Sequence, residues 1–196
     1  MSQVLSEAAI AQLFLDGRTT HAFDPLPLDE ATLRRLYDTS KWLPTAFNAQ
    51  PARFVFVQSA EGKARLKPCL SPGNVAQTES ASVTVIVAQD SRFYEDLPQN
   101  FPAFNARPIY EGNAALAEVT ALRNSTLQAA YLMLAARALG LDYGPMSGFD
   151  ANAVNQAFFP DGRFKANVLI NLGRANPAGV YPRGPRYPFE SVCQIV

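Results

Sequence analysis

Residues 126–139 are apolar on almost every side of a helix, and a helix of that kind cannot stand alone in water. They form the second half of a segment from about Ala114 to Leu139 that contains neither Pro nor Gly. Gly140 follows where a C′ glycine ends a helix. This is the longest predicted element. It must be enclosed on several sides, by its own chain or at a subunit interface, and the rest of the fold has to supply that enclosure.

Three short runs have the β-branched and aromatic content of strands: residues 53–57, residues 82–88, and residues 167–172, the last halted by Gly173. A first helix is predicted over residues 6–15, with Ile10, Leu13 and Phe14 on one face and Gly17 as its stop. A second starts at Asp29, a good N-cap, with Leu28 and Leu33 placed as a hydrophobic staple. Leu36 and Tyr37 continue its apolar face, and Pro44 ends it. A shorter helix runs from Asp150 to Phe158. The order α-α-β-α-β-α-α-β excludes both a regular βαβ alternation and an all-α fold. It predicts an α+β sandwich with a mostly antiparallel sheet and helices around it.

Two segments stand apart. Residues 93–113 hold Pro98, Pro102, Pro108 and Gly112 and read as a long irregular loop, a candidate lid. Residues 177–196 carry Pro177, Pro182, Pro185 and Pro188. They cannot be helical through those positions and read as an extended arm.

At 196 residues the chain is expected to be one domain, 1–196. Its 48% hydrophobic content argues against disorder. Lys+Arg and Asp+Glu balance at 17 each, which argues against a general nucleic-acid or anionic-membrane binder. Residues 1–16 lack Lys and Arg, unlike a signal peptide, and the strongly apolar run 82–89 is far short of the roughly 20 residues of a membrane-spanning helix. Cys69 and Cys193 read as idle thiols, and a single histidine, His21, leaves no basis for a metal site. The expectation is a cytoplasmic protein.

No GxGxxG follows a strand and no GxxxxGK[ST] exists, which removes the Rossmann and P-loop readings. Around Ser147, the sequence Gly144-Pro145-Met146-Ser147-Gly148 has the wrong spacing for a nucleophile elbow. Four other segments carry chemistry. Arg18-Thr19-Thr20-His21 offers a charged fork and hydroxyl donors for an anion, or a solvated turn. Residues 43–51, with Asn48 and Gln50, offer donors and acceptors for a planar heterocycle, or an ordinary turn. Residues 143–150 let backbone approach a flat ligand, with Asp150 capping the next helix. Residues 162–189 contain no acid but carry Arg163, Lys165, Arg174, Arg183 and Arg186, a local positive stretch suited to a phosphate.

In order and spacing, Arg18-Thr19-Thr20-x-x-Phe23, Pro44-Thr45-x-x-Asn48-x-Gln50-Pro51, Gly144-Pro145-Met146-Ser147-Gly148-Phe149 and Arg186-Tyr187-Pro188 resemble the FMN-dependent nitroreductase family. The resemblance covers about Leu5 to the C-terminus. Residues 42–45, 70–74, 93–95, 123–125, 144–150 and 157–159 point further, to the branch that holds the malonic semialdehyde reductase of uracil breakdown. The resemblance implies a three-layer sandwich and a homodimer with FMN at the subunit interface. It also implies ping-pong hydride transfer from NADH or NADPH to a small acceptor, here malonic semialdehyde reduced to 3-hydroxypropanoate, or else a nitroaromatic or quinone. Arg18, Thr19 and Thr20 stand where the family binds FMN phosphate and ribityl oxygens, with His21 assisting. Arg186, with Arg183 beside it, stands at the family's C-terminal phosphate arginine. Pro44, Thr45 and Asn48 stand in a loop that often reaches the cofactor of the partner subunit. Pro145, Met146 and Ser147 stand where backbone packs against the isoalloxazine ring. Arg107 and Arg123 are candidates for an acceptor carboxylate. The competing readings are a serine hydrolase using Ser147 with His21, and a non-catalytic flavin-binding dimer.

Overall fold

A computed structural model describes residues 3–196. Its five strands are β1 (Phe23–Asp24), β2 (Ala52–Val57), β3 (Val83–Asp90), β4 (Asp142–Met146) and β5 (Phe164–Ala175). The sheet runs β1-β5-β3-β2, with β4 also on β5, and every strand pairing is antiparallel. The helices are α1 (Glu7–Ile10), α2 (Glu30–Ser40), α3 (Ala60–Leu66), α4 (Pro72–Ser80), α5 (Leu97–Asn100), α6 (Arg107–Glu111), α7 (Ala114–Ala138), α8 (Ala151–Phe158) and α9 (Phe189–Val192).

The middle strand, β3, is buried along its whole length, and its two faces feed different cores. Val83, Val85 and Val87 pack with Leu36 of α2 and with Leu132 and Ala135 of α7. Ile86 and Ala88 pack with Leu66 of α3 and Val154 of α8. Helices therefore cover both faces, the three-layer arrangement expected. A bulge between Val87 and Ala88 leaves Asn167 of β5 unpaired, and its Nδ2 donates to Ser125 Oγ (3.0 Å) and Thr126 Oγ1 (2.9 Å) of α7.

The caps follow the sequence. Asp29 accepts from Thr32 N (2.8 Å), Asp150 accepts from Asn152 N and Ala153 N, and Gly140 sits at φ +75° just past α7. The first helix changes character: after α1 it continues as a π-helical turn, Ala11–Leu15. Helix α2 ends at Ser40, four residues before Pro44. Strands β1 and β4 were not expected, since β4 contains Gly144 and Pro145, residues with poor strand propensity.

Residues 93–113 correct the irregular-loop expectation. They form a 3-10 turn, Phe93–Asp96, followed by α5 and α6. Phe93, Leu97, Ala106 and Tyr110 pack with Ala117 and Ala121 of α7 into a third, separate core. Pro98 and Pro108 lie within the first turns of α5 and α6, where a missing N–H costs nothing. The arm, residues 177–196, holds a 3-10 turn, Pro177–Gly179, and α9, and is otherwise without regular structure and largely exposed.

The base of the 93–112 segment is tied to the sheet by one carboxylate. Asp90, at the end of β3, is fully buried. Its oxygens accept from Arg163 Nε and Nη2 (2.9 Å each), Arg53 Nη2 (2.7 Å) and Arg92 N (2.9 Å). The Asp90 hydrogen bond pushes the Arg163 pKa further up. Arg163 also reaches Glu95 (3.1 Å), and Arg53 reaches Asp96 (3.4 Å), both in the 3-10 turn. Removing one member of a buried charge cluster strands the others. Asp90→Ala is expected to lower stability by about 3 kcal/mol, read as a shift in urea midpoint at unchanged slope.

Candidate active site

The segment after the π-helical turn is threaded between β4 and the 177–180 turn. Thr19 bridges Tyr143 in parallel and Thr20 bridges Val180. Thr20 N donates to Tyr143 O (3.0 Å), and His21 N donates to Gly179 O (2.9 Å). The approach is so close that two glycines are required. A Cβ on Gly144 would lie 2.3 Å from Thr20 O, and one on Gly179 would lie 2.2 Å from Ala22 N. These contacts bury Thr20 and fix the backbone carbonyls that lead into it.

Beside this junction is a cavity of about 320 Å³ lined by Arg18, Thr19, His21, Tyr143, Arg183 and Arg186, among others. Its guanidiniums meet only backbone carbonyls. Arg18 Nη1 donates to Leu15 O (3.1 Å), Asp16 O (3.2 Å) and Gly17 O (3.0 Å). Arg183 Nη2 donates to Leu15 O and to Gly17 O (3.0 Å). Arg186 Nη1 donates to Gly184 O and Pro185 O. None of the three forms a salt bridge among the described residues. Three guanidiniums without a carboxylate partner make this concavity positive, with donors of the kind an anion takes. His21 leans its ring on Tyr181, 5.2 Å between centroids.

The remaining candidates lie elsewhere. Pro145 and Met146 end β4, and exposed Ser147 follows. The Met146 side chain is turned inward, its sulfur 3.8 Å from both Gln77 Nε2 and Thr78 Oγ1. Pro44, Thr45 and Asn48 sit against α7 and α5: Ala46 N donates to Asn124 Oδ1 (3.0 Å), and Asn48 Nδ2 donates to Asn100 O (3.0 Å). They do not line the arginine cavity. Arg107 is bound to Glu111 through Nε (3.1 Å) and Nη2 (2.6 Å), which raises the arginine pKa and lowers the glutamate's. Arg123 is exposed on α7 without a salt bridge among the described residues. Ser147 and His21 make no hydrogen bond to each other, so the structure lends the hydrolase reading nothing.

The nitroreductase family pattern matches residues 17–174. The chain belongs to the nitroreductase family, a family of oxidoreductases. A relative from Burkholderia lata is 56% identical over 191 residues, 97% of this chain and 98% of its own length. One from Polynucleobacter asymbioticus is 50% identical over 196 residues, the full length of both. Each is described as a "Putative NADH dehydrogenase/NAD(P)H nitroreductase". Two crystal structures described as a "putative nitroreductase" share the fold. One, from Bacillus subtilis, has a TM-score of 0.88 at 25% identity and covers 97% of this chain and 100% of its own. The other, from Exiguobacterium sibiricum in complex with FMN, has a TM-score of 0.85 at 24% identity and covers both chains fully.

Among the described residues no cluster of His, Cys, Asp or Glu could hold a metal ion, and no helix is long and apolar enough to cross a membrane. Tyr143 and Tyr181 also line the arginine cavity, although the sequence marks neither as a site residue, Tyr143 only opening the 143–150 segment. The only signal for Tyr143 was its place before Gly144, and for Tyr181 its place before Pro182. Gly144→Ala should force Thr20 off β4 and lower stability by about 1–3 kcal/mol, measured as a fall in thermal midpoint. A wild-type midpoint would show that the junction yields freely.

Proposed function

We propose that this nitroreductase is an FMN-dependent NAD(P)H oxidoreductase that acts as a homodimer, with the cofactor at the subunit interface and malonic semialdehyde as the acceptor. The observation that carries the cofactor is the set of uncompensated guanidiniums of Arg18, Arg183 and Arg186 in one cavity with Thr19 and His21. Its positive charge and hydroxyl donor fit a terminal phosphate and polyol chain. FMN supplies the two-electron relay from nicotinamide to acceptor, one half-reaction at a time.

The chain's own residues divide the remaining work. Arg18, Arg183 and Arg186 hold the phosphate, with Thr19 and His21 on the adjoining oxygens. Buried Thr20 fixes that strand on β4. Because Met146 turns its side chain into the core, the turn at Pro145, Met146 and Ser147 offers backbone rather than side chain to a flat ring. Residues 93–113 act as the lid that keeps water from the acceptor.

The dimer rests on three observations. Leu116, Val119, Leu122, Leu127 and Tyr131 expose large apolar side chains on one face of α7, with Arg123 among them. The loop with Pro44, Thr45 and Asn48 is not part of the lining of the Arg18 cavity in one protomer, which suits a loop that serves the partner's cofactor. The exposed Tyr187, Phe189 and Ile195 suit an arm laid over that partner. Cys69 and Cys193 are unpaired thiols, consistent with a cytoplasmic location. Of the two candidates for the acceptor carboxylate, Arg123 is the better: Arg107 would have to leave Glu111.

An anaerobic absorbance titration tests the reading. The flavin spectrum is expected to be bleached by NADH or NADPH and restored by malonic semialdehyde. Restoration by nitroaromatics or quinones alone would keep the oxidoreductase and remove the acceptor, and a colourless protein that cannot take up FMN would remove both. Arg18→Ala and Arg186→Ala should each weaken FMN binding about tenfold to hundredfold, the loss of a charge-assisted hydrogen bond. Ser147→Ala should retain turnover. Leu122→Glu combined with Leu127→Glu should give a monomer by light scattering and lose FMN with it.

A further inference from the structure

Phe47 (φ 50°), Asn48 (φ 51°) and Gln50 (φ 43°) all stand in the left-handed region, which residues with side chains seldom enter. For a side chain as bulky as Phe47 the conformation is strained, and strain of this kind persists only where surroundings impose it. The neighbouring backbone is held at other points: Ala46 N to Asn124 Oδ1, and Gln50 N to Thr45 Oγ1 (3.1 Å). Phe47 itself is held by aromatic contacts from one segment only. Its ring stacks on Phe104 (5.9 Å, 26°) and meets Phe101 (5.5 Å, 65°) and Tyr110 (6.4 Å, 75°) edge to face. Asn48, the next residue, reaches the same segment at Asn100 O. The loop and the segment are joined at adjacent residues, by an aromatic cluster and a hydrogen bond.

We propose that Phe47 is a positioning residue that clamps residues 97–112 onto the loop bearing Thr45 and Asn48, so that the seating of the lid and the presentation of the cofactor loop are set together. This rests on the FMN reading above. When the segment lifts, Phe47 loses all three aromatic partners and Asn48 loses its acceptor. The left-handed turn is then left to its backbone hydrogen bonds, Asn48 N to Thr45 O (3.0 Å) and Ala49 N to Ala46 O (2.9 Å) among them, so the loop loosens and Thr45 and Asn48 are re-aimed. A closed lid and a well-formed cofactor loop are thus one state.

The test compares wild type, Phe47→Ala, Phe47→Tyr and Phe104→Ala as full-length protein reconstituted with FMN. It reads FMN affinity by fluorescence, amide hydrogen exchange over residues 44–50 and 97–106, and the kinetics of p-benzoquinone reduction. Phe47→Ala is expected to weaken FMN binding about tenfold, to speed exchange in both segments, and to raise the quinone KM more than it lowers kcat. Phe47→Tyr should stay within about twofold of wild type. Phe104 is 52% exposed, so Phe104→Ala should fold normally. Faster exchange over residues 44–50 in that variant supports the clamp, because the change lies in the other segment. Unchanged FMN affinity in Phe47→Ala, or faster exchange confined to residues 44–50, would overturn it. If Phe47→Ala does not fold, unchanged exchange over residues 44–50 in Phe104→Ala overturns it instead. If wild type takes up no FMN, the cofactor reading fails, and the exchange of Phe104→Ala still decides whether the two segments are clamped.

Discussion

Helix α7 is buried along a face made largely of Ala, Ser and Thr, with Ala117 and Ala121 flooring the third core and Ala129, Leu132, Ala135 and Ala136 packed on the sheet. Small side chains bring its backbone close, and the two long polar residues on that face, Asn124 and Gln128, are buried by the approach. A buried amide must find partners, and both find them in the same loop. Asn124 Oδ1 accepts from Ala46 N, and Gln128 Oε1 accepts from Ala52 N (2.9 Å). The helix therefore holds both ends of residues 46–52, where the chain passes from the loop of Thr45 and Asn48 into β2. Core packing and the shape of the candidate site are the same contact, so α7 cannot shift against the sheet without moving that loop.

That dual role explains the composition that made α7 conspicuous. One side is buried by its own chain. The other, from Leu116 through Leu122 to Tyr131, keeps large apolar residues in water within a single protomer. The sequence showed residues 126–139 apolar nearly all round. It could not show which half of the helix its own chain covers, because, Leu132 apart, the covered half is marked by small and amide residues rather than by large hydrophobic ones.

The legible parts of the fold were those governed by local chemistry. Asp29 and Asp150 cap where a short acceptor side chain should, Gly140 closes α7 in the left-handed region, and β3 and β5 form from β-branched runs. What escaped was set by tertiary contact. Strand β4 pairs with β5 despite Gly144 and Pro145, because Gly144 is where Thr20 crosses and only a hydrogen fits there. Residues 93–113 fold into short helices because Phe93, Leu97 and Tyr110 find a floor of Ala117 and Ala121, a core that forms only once α7 is in place. Of the candidate site, the basic segment was readable as charge, while its gathering with Arg18 came only from the family resemblance. Tyr143 and Tyr181 were not readable, since their place in the cavity depends on a strand crossing far apart in sequence.

Charge shows the same division between sequence and space. The chain is neutral overall, and residues 162–189 carry five cations and no acid, which reads as one positive stretch. Folding splits it. Arg163 is drawn to Asp90 and Glu95, and Lys165 reaches Glu118 at 3.3 Å, so these two cations serve the sheet and the helical segment above it. Arg183 and Arg186 lie beyond β5, past the reach of those acids, and meet Arg18 across a gap of more than 160 positions in sequence. Their donors spread over backbone carbonyls, which share a guanidinium's hydrogen bonds but do not cancel its charge. A carboxylate here would have tied the arm down more firmly and removed the field. Its absence leaves three positive charges together, beside the junction where Thr20 crosses Gly144.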